Sequence, residues 1–453
     1  MKIGNIYEFY IEKTSFPSIG IADLEGHDVF IKNTFPGQTV MARLTKKKRD
    51  HLEAKLIEVK ENIKDAIEAP CPHFNVCGGC NSQFIPSHLQ LELKKQQVLD
   101  LFNRAGIEGY EFLGIEKNPE EFEYRNKMEF TFGNAEKGGK LNLGMHMKGK
   151  NFGILNVDQC KIVDGDFRMI LSEVVNYFRG KDIPYYRVKT RRGYLRNLVI
   201  RKGKNTGDIL VNIVTTSQID FNFDEMVQML LSLNLSGNIK GILHSINDSF
   251  SDVVKIEKLN LLYGNDYIME TISGLKFKIF PGAFFQTNSK GAEKLYNIVK
   301  DFMGDASSKT VFDLYCGTGT IGQIVASNAK EVIGVELVED AVKSANENVK
   351  LNGIDNCKFI ADDVAKIVGD LDYKPDVIII DPPRPGVHPK ALKEIVKFGA
   401  DVIIYVSCNP KTLVEDLKSF IYGGYSVDKV KLMDMFPHTG HVESVVLMSR
   451  VEK

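Results

Sequence analysis

A cysteine stands directly after an apolar, β-branched run: Val402 to Val406 leads into Ser407-Cys408-Asn409-Pro410. Such a run, bounded by Asp401 and Pro410, reads as a buried strand. In open α/β sheets ligands and chemistry gather at the carboxyl ends of strands, so a thiol there could serve as a nucleophile. A lone cysteine is more often a packed structural residue, and the rest of the chain has to decide. Two acidic positions bear on the choice. Asp381-Pro382-Pro383-Arg384-Pro385-Gly386 follows the Val377–Ile380 strand, where prolines fix an extended loop without backbone donors and the Asp can orient a substrate. Phe436-Pro437-His438-Thr439-Gly440-His441-Val442-Glu443-Ser444 precedes the last strand and offers Glu443 as a general base.

A cofactor signal lies upstream. Asp313-Leu314-Tyr315-Cys316-Gly317-Thr318-Gly319-Thr320-Ile321-Gly322 is a strand, a glycine-rich turn and a helix start, a pattern that lets a ligand approach the backbone closely. Glu336, 19 positions after Gly317, ends the next strand, where an acid accepts hydrogen bonds from ribose hydroxyls. The glycine pattern alone suits a nicotinamide cofactor or S-adenosylmethionine equally; the Asp-Pro-Pro-Arg loop favours methyl over hydride transfer. Asp363, after the third strand, is placed either to hydrogen-bond an adenine ring or to cap a helix.

A second group of thiols sits in Pro70-Cys71-Pro72-His73-Phe74-Asn75-Val76-Cys77-Gly78-Gly79-Cys80, with Cys160 as the available fourth member. Thiolates suit zinc or iron–sulfur clusters. Zinc favours paired Cys-x-x-Cys units; one such unit and an isolated cysteine lean toward a four-cysteine iron–sulfur cluster. His73 reads as a polar loop residue rather than a ligand. Seven cysteines, an odd number, do not suggest a disulfide framework.

The elements that must position these residues follow from length and pattern. A chain of 453 residues suggests about three domains. Hydrophobic content of 43% and charged content of 26% are ordinary for globular proteins. No apolar run reaches the ~20 residues of a membrane span, and the first residues lack an apolar signal region, so the expectation is a cytoplasmic protein. Residues 1–62 hold five short β-type runs with turns at Gly20, Gly26 and Pro36-Gly37, which suggests a small barrel of the OB type, a common nucleic-acid binder. Residues 63–267 read as an α+β domain that carries the cysteines, with a helix over 88–106 that packs on the catalytic domain. From 268 to 453, strict alternation of strand and helix implies a doubly wound parallel sheet.

Net charge of −1 argues neither for nor against nucleic acid. Local basic stretches exist at Lys46-Lys47-Lys48-Arg49 and from Arg187 to Lys204. The second has Arg187, Lys189, Arg191, Arg192, Arg196, Arg201, Lys202 and Lys204 without an acid, and Tyr185, Tyr186 and Tyr194 interleaved. Its reading here is an RNA-contacting face, although most charge runs are solvated surface.

Gly20-Ile-Ala, Val29-Phe-Ile and Pro36-Gly37-Gln-Thr-Val resemble the TRAM domain, an RNA-binding barrel. Cys71-x5-Cys77-x2-Cys80, Phe284-Phe285-Gln286-Thr287-Asn288, the Asp313–Gly322 turn, Asp381-Pro-Pro-Arg384, Ser407-Cys-Asn-Pro410 and His441-Val-Glu443 stand in the order of the RNA (uracil-C5)-methyltransferase family. With barrel and cysteine group both present, the chain looks most like its 23S ribosomal-RNA branch, since the familiar transfer-RNA enzyme has neither. The resemblance implies a Rossmann-like class I methyltransferase domain, S-adenosylmethionine and a [4Fe–4S] cluster as cofactors, and RNA as partner of a monomer. It implies Cys408 as nucleophile and Glu443 as base. It implies Gln286, Tyr315, Glu336 and Asp381 around the cofactor, beside Gly317, Gly319 and Asp363 from the turn and strand end read above, and Cys71, Cys77, Cys80 and Cys160 around the cluster. Two other readings differ in class: a non-catalytic ribosome-assembly factor, for which Cys408 would be dispensable, and an NAD-dependent oxidoreductase, which would bind nicotinamide.

Overall fold

The computed structural model describes residues 1–150, 152–364 and 374–451. The first 61 residues form a six-stranded sheet from Ile6–Tyr10, Lys13–Ser15, Ile19–Leu24, His27–Lys32, Thr39–Lys47 and Leu52–Glu61. Alternation turns Phe9, Val29, Ile31, Val40, Ala42 and Leu44 inward to a small core of its own. The three-residue strand Lys13–Ser15 adds one to the five expected; with a single apolar-free turn of chain it carries no periodicity to read.

A seven-stranded sheet follows, in the order Ile154–Asn156, Asn142–His146, Lys127–Gly133, Leu195–Lys202, Asp208–Thr215, Asn238–Ile246, Lys258–Gly264. Only Asp208–Thr215 and Asn238–Ile246 run parallel, joined through the helix Asp224–Leu231. That helix and Gly165–Arg179 supply the apolar stripes that cover the sheet, so Leu198, Ile200, Val211 and Ile213 are fully enclosed.

The third sheet has eight strands: Cys357–Ala361, Ala329–Glu336, Ala306–Leu314, Val377–Ile380, Val402–Ser407, Glu443–Arg450, Tyr425–Met433 and Glu111–Glu116. The first five are parallel, and their strands are apolar runs because helices cover both faces. One face packs on helices Ser289–Met303, Thr320–Ala326 and Glu339–Leu351. The other packs on Pro389–Phe398, Pro410–Tyr422 and Ser87–Arg104, the last through Val98 and Phe102.

Two expectations need correction. The helix Ser87–Arg104 packs on the catalytic sheet, and the strand Glu111–Glu116 that follows it also leaves the rest of 63–267 and pairs in parallel with Tyr425–Met433 through Lys429↔Glu111 and Met433↔Glu116. The pairing satisfies an edge that the antiparallel hairpin Tyr425–Met433/Glu443–Arg450 would otherwise leave open.

The basic stretch from Arg187 to Lys204 is not one face. Arg196 is buried and donates to the carbonyls of Asn247 and Ser249, both at 2.7 Å, and to that of Ser251. Arg201 is buried and donates to the Ala283 carbonyl at 3.1 Å. Lys202 is held by Asp166 at 2.6 Å and Asp164 at 2.7 Å. Lys204 donates to the Glu123 carbonyl at 2.8 Å, and Tyr194 is enclosed. Buried cations need such partners, which leaves Arg187, Lys189, Arg191 and Arg192 as the exposed part.

Candidate active site

Three strand ends converge beside Cys408. Parallel pairing of Ile380 with Tyr405 brings Asp381, the next residue, alongside the end of the Val402–Ser407 strand. Antiparallel pairing of Ser407 with Ser444 sets Glu443 one step further on, level with Cys408. The turn that presents the thiol is held locally. Asn409 caps the helix Pro410–Tyr422 by accepting from Lys411 N at 3.3 Å, and Pro410 opens it. The same Asn409 donates its side-chain NH to the Arg384 carbonyl at 3.0 Å, and Thr412 donates to that carbonyl at 3.3 Å. Three residues beyond, Val387 N donates to the Asp416 carboxylate at 2.9 Å, which also accepts from Tyr405 OH at 2.6 Å. The helix that follows the cysteine therefore fixes the Asp-Pro-Pro-Arg loop.

The electrostatics of this corner are unusual for a surface cleft. Burial pushes the Cys408 thiol up to about 11, reinforced by the carboxylates of Glu443 and Asp381 and opposed by Arg384. Glu443, 4% exposed, is raised to about 8, first by desolvation and then by Asp381, with Arg384 again opposing. Desolvation lifts Asp381 to about 7. Two carboxyls that titrate near neutrality, one of them level with a thiol, can move a proton at working pH. Sequence reasoning missed Arg384 as the cation common to thiol and acid. It also missed Tyr296, which is enclosed on the helix Ser289–Met303 where the charges of Asp381, Asp313 and Glu443 act on it. The helical pattern of 289–303 was the available signal.

The glycine turn lies at the end of the neighbouring strand. Tyr315 takes φ +62° and Gly319 φ +72°; a Cβ at Gly319 would run into the Phe359 ring, so only glycine fits. Gly317 N donates to the Glu336 carboxylate at 3.1 Å and Val338 N donates to it at 3.0 Å, which orients that acid across the turn. Asp313 is fully buried; it accepts from Gly322 N at 2.8 Å with one carboxylate oxygen, while the other has no partner in the described structure. Asp363, beyond the third strand, is near enough to Tyr315 for its charge to help hold that phenol up at about 12, behind the larger effect of burial. The helix it was weighed as capping lies outside the described residues. Gln286 lies on a loop laid over the turn, with the Phe284 carbonyl accepting from Thr318 at 3.3 Å. The middle domain grips this loop: Asn126 donates from its side chain to the Gln286 carbonyl at 3.1 Å and from its backbone to the Thr287 carbonyl at 2.8 Å.

The loop leading to Glu443 is gripped from the N-terminal half as well. Buried Lys94 donates to Asp434 at 2.5 Å and to the Phe436 carbonyl at 3.1 Å. Tyr124 OH donates to the Pro437 carbonyl at 3.0 Å. His438, at φ +66°, stacks on Phe122 at 4.4 Å, and its backbone carbonyl accepts from Asn81 N at 3.0 Å.

Asn81 directly follows the cysteine loop. Cys71, Cys77, Cys80 and Cys160 line one cavity of about 300 Å³ together with Phe74, Met128, Arg125 and Thr287. The loop is fastened to a neighbouring strand by Gly78 N to the His146 carbonyl at 3.0 Å and by a bridge between Cys77 and Met147. His73 accepts from Gln159 N at 3.2 Å, which ties the loop to the residue before Cys160. Burial raises Cys77, takes Cys80 to about 12 and Cys160 to about 11, and in each case the other thiols add to the shift. Among the described residues no three Cys, His, Asp or Glu side chains close around a single metal ion. The four thiols instead surround a space.

Comparison with known proteins gives this arrangement a lineage. The family described as tRNA (Uracil-5-)-methyltransferase matches residues 88–451, and the TRAM domain matches residues 2–57. An uncharacterized RNA methyltransferase of Clostridium tetani is 61% identical over 99% of both chains. One from Halalkalibacterium halodurans is 33% identical over 98% of this chain and 97% of its own. Among solved structures, Pyrococcus abyssi tRNA (uracil-54, C5)-methyltransferase in complex with S-adenosyl-L-homocysteine superposes with a TM-score of 0.75 at 26% identity, covering 97% of this chain and 99% of that one. The chain belongs to the S-adenosylmethionine-dependent RNA (uracil-5-)-methyltransferase family, with an N-terminal TRAM domain.

Proposed function

We propose that the protein methylates carbon 5 of a uracil in 23S ribosomal RNA, with Cys408 as nucleophile and Glu443 as base. The convergence of Cys408, Glu443, Asp381 and Arg384 at three adjacent strand ends, next to the glycine turn, carries the reading. Uracil C5 is too weak a nucleophile to take a methyl group directly. The Cys408 thiolate adds to C6, and the resulting enolate makes C5 nucleophilic, which divides one hard step into easier ones. S-adenosylmethionine supplies the methyl group from its sulfonium. Once C5 is methylated, Glu443 takes the C5 proton and the C6–S bond breaks, returning the thiolate and 5-methyluracil. Glu443 must be ionised for that step, so turnover rises with pH toward about 8.

For the cofactor, Gln286, Tyr315, Gly317, Gly319, Glu336, Asp363 and Asp381 are the contacts. Glu336, already steered by two backbone NH groups, would accept hydrogen bonds from the ribose hydroxyls. The positive sulfonium would also draw the Cys408 thiol toward its ionised form. A base within a stem is out of reach, so the uridine is unpaired or flipped out.

Cys71, Cys77, Cys80 and Cys160 fit a [4Fe–4S] cluster. Four thiols line one space where burial and the neighbouring thiols oppose ionisation of Cys77, Cys80 and Cys160, and such a cluster would take all four as thiolates. Methyl transfer moves no electrons, and the group's service here is to the fold: the loop it would brace ends at Asn81, which holds His438. The protein acts as a monomer in the cytoplasm.

A second reading, transfer RNA as substrate, is favoured by the Pyrococcus abyssi enzyme, which aligns over nearly the whole chain, barrel included. The barrel therefore does not separate the two substrates. Mapping 5-methyluridine in ribosomal and transfer RNA from cells with and without the gene tests both. Loss of the mark from 23S RNA alone supports the proposal; loss from transfer RNA alone replaces it with the second reading; no loss anywhere overturns both.

A further inference from the structure

The exposed remnant of the basic stretch is a hairpin set against aromatic rings on two other loops. Lys189 Nζ lies 4.3 Å from the centre of the Phe152 ring, and the Arg191 guanidinium lies 3.9 Å from that of Phe250. Both phenylalanines are 61% exposed, far from the core positions such residues ordinarily take. The cation-bearing hairpin is fixed: Arg187 N donates to the Arg192 carbonyl at 2.9 Å, and Gln218 bridges it by accepting from Gly193 N at 3.1 Å and donating to the Arg191 carbonyl at 3.0 Å. Buried Arg196 holds the Phe250 loop through the carbonyls of residues 247–251. Among the described residues no carboxylate forms an ion pair with Arg187, Lys189, Arg191 or Arg192; Asp252 lies 3.5 Å from His146 Nε2.

We propose that this rim is a stacking site for unpaired nucleotides of the RNA substrate, with Phe152 and Phe250 taking bases and the Lys189/Arg191 hairpin taking phosphates. Clustered cations without paired acids repel one another and gain from a polyanion, and an exposed ring with a cation on one face leaves the other for a base. Stacking needs bases that are not already stacked, so the ligand is a single strand rather than a duplex. The site rests on the reading of the protein as an RNA methyltransferase but not on its chemistry.

The test is binding of a fluorescent ten-nucleotide oligouridylate, followed by anisotropy, to the wild-type protein and to the pair Phe152→Ala/Phe250→Ala. The expected loss is about thirtyfold or more in affinity, with S-adenosylmethionine binding by calorimetry unchanged. Arg191→Ala should flatten the slope of log K against log salt by about 0.7. Unchanged oligouridylate affinity in the double variant overturns the site, as does equal competition by a ten-base-pair duplex or by polyglutamate. Wild-type binding through the rim without any methylation of RNA would instead overturn the catalytic reading and leave the rim standing.

Discussion

Five of the chain's seven thiols stand in two surroundings that differ in one respect. Cys408 meets carboxylates and one guanidinium; Cys71, Cys77, Cys80 and Cys160 meet chiefly each other. Burial raises Cys408 in the one and Cys77, Cys80 and Cys160 in the other. At Cys408 the opposing charge of Arg384 is already present, and a passing cation can complete the ionisation, so the sulfur stays available for a bond that forms and breaks. Around the cavity, any thiolate burdens its neighbours, and the arrangement is stable only as neutral thiols or around a permanent cation. Reactive and structural sulfur are thus distinguished by their neighbours, not by depth.

The contrast is testable. Cys408→Ala should lower methyl transfer on the order of 10⁴-fold or more, the scale for losing a covalent nucleophile, and abolish denaturant-stable RNA adducts, while leaving melting temperature and visible absorbance as they were. Normal turnover would place Cys408 with the structural group. Glu443→Gln should cut turnover by about 10² to 10⁴-fold and accumulate the adduct; a variant that releases RNA freely would remove Glu443 from the deprotonation step. The same variant should melt higher than wild type at pH 9. Glu443 at about 8 and Asp381 at about 7 hold protons in the folded state that the unfolded chain releases near pH 4, so folding loses stability as pH climbs from about 4 to about 8. Cys77→Ser should bleach broad visible absorbance and lower the melting temperature, with turnover of the surviving protein reduced less than in either variant above; wild-type absorbance would deny the cavity its cluster. The mildest effect concerns ionisation alone. Iodoacetamide should modify Cys408 faster with rising pH up to about 11, and saturating S-adenosylmethionine should shift that profile to lower pH; an unmoved profile would mean that the cofactor does not act on the thiol.

The alternating strands and helices of the catalytic domain were legible because their parallel strands are enclosed on both faces and so read as unbroken β-branched runs, as in Val377–Ile380 and Val402–Ser407. Glu111–Glu116 was not: it is an edge strand with charged ends and Gly114 inside, and its partner lies far downstream. The basic stretch misled for a related reason. Arg196 and Arg192 are the same residue type four positions apart, and what buries one is a set of carbonyls on the loop 247–251 that local sequence does not announce. Arg384 and Tyr296 escaped because their importance comes from what they face, not from any motif spacing.

The edge strand Glu111–Glu116 imposes a timetable on biosynthesis. It leaves the ribosome before Tyr425–Met433 has been made, and at 5–20 residues per second the wait is on the order of tens of seconds. During that time the helix Ser87–Arg104 has no sheet to cover, and its Val98 and Phe102 are open to solvent or to a chaperone. A fragment beginning at residue 268 would carry the reverse defect: every catalytic side chain, and a sheet with a raw edge.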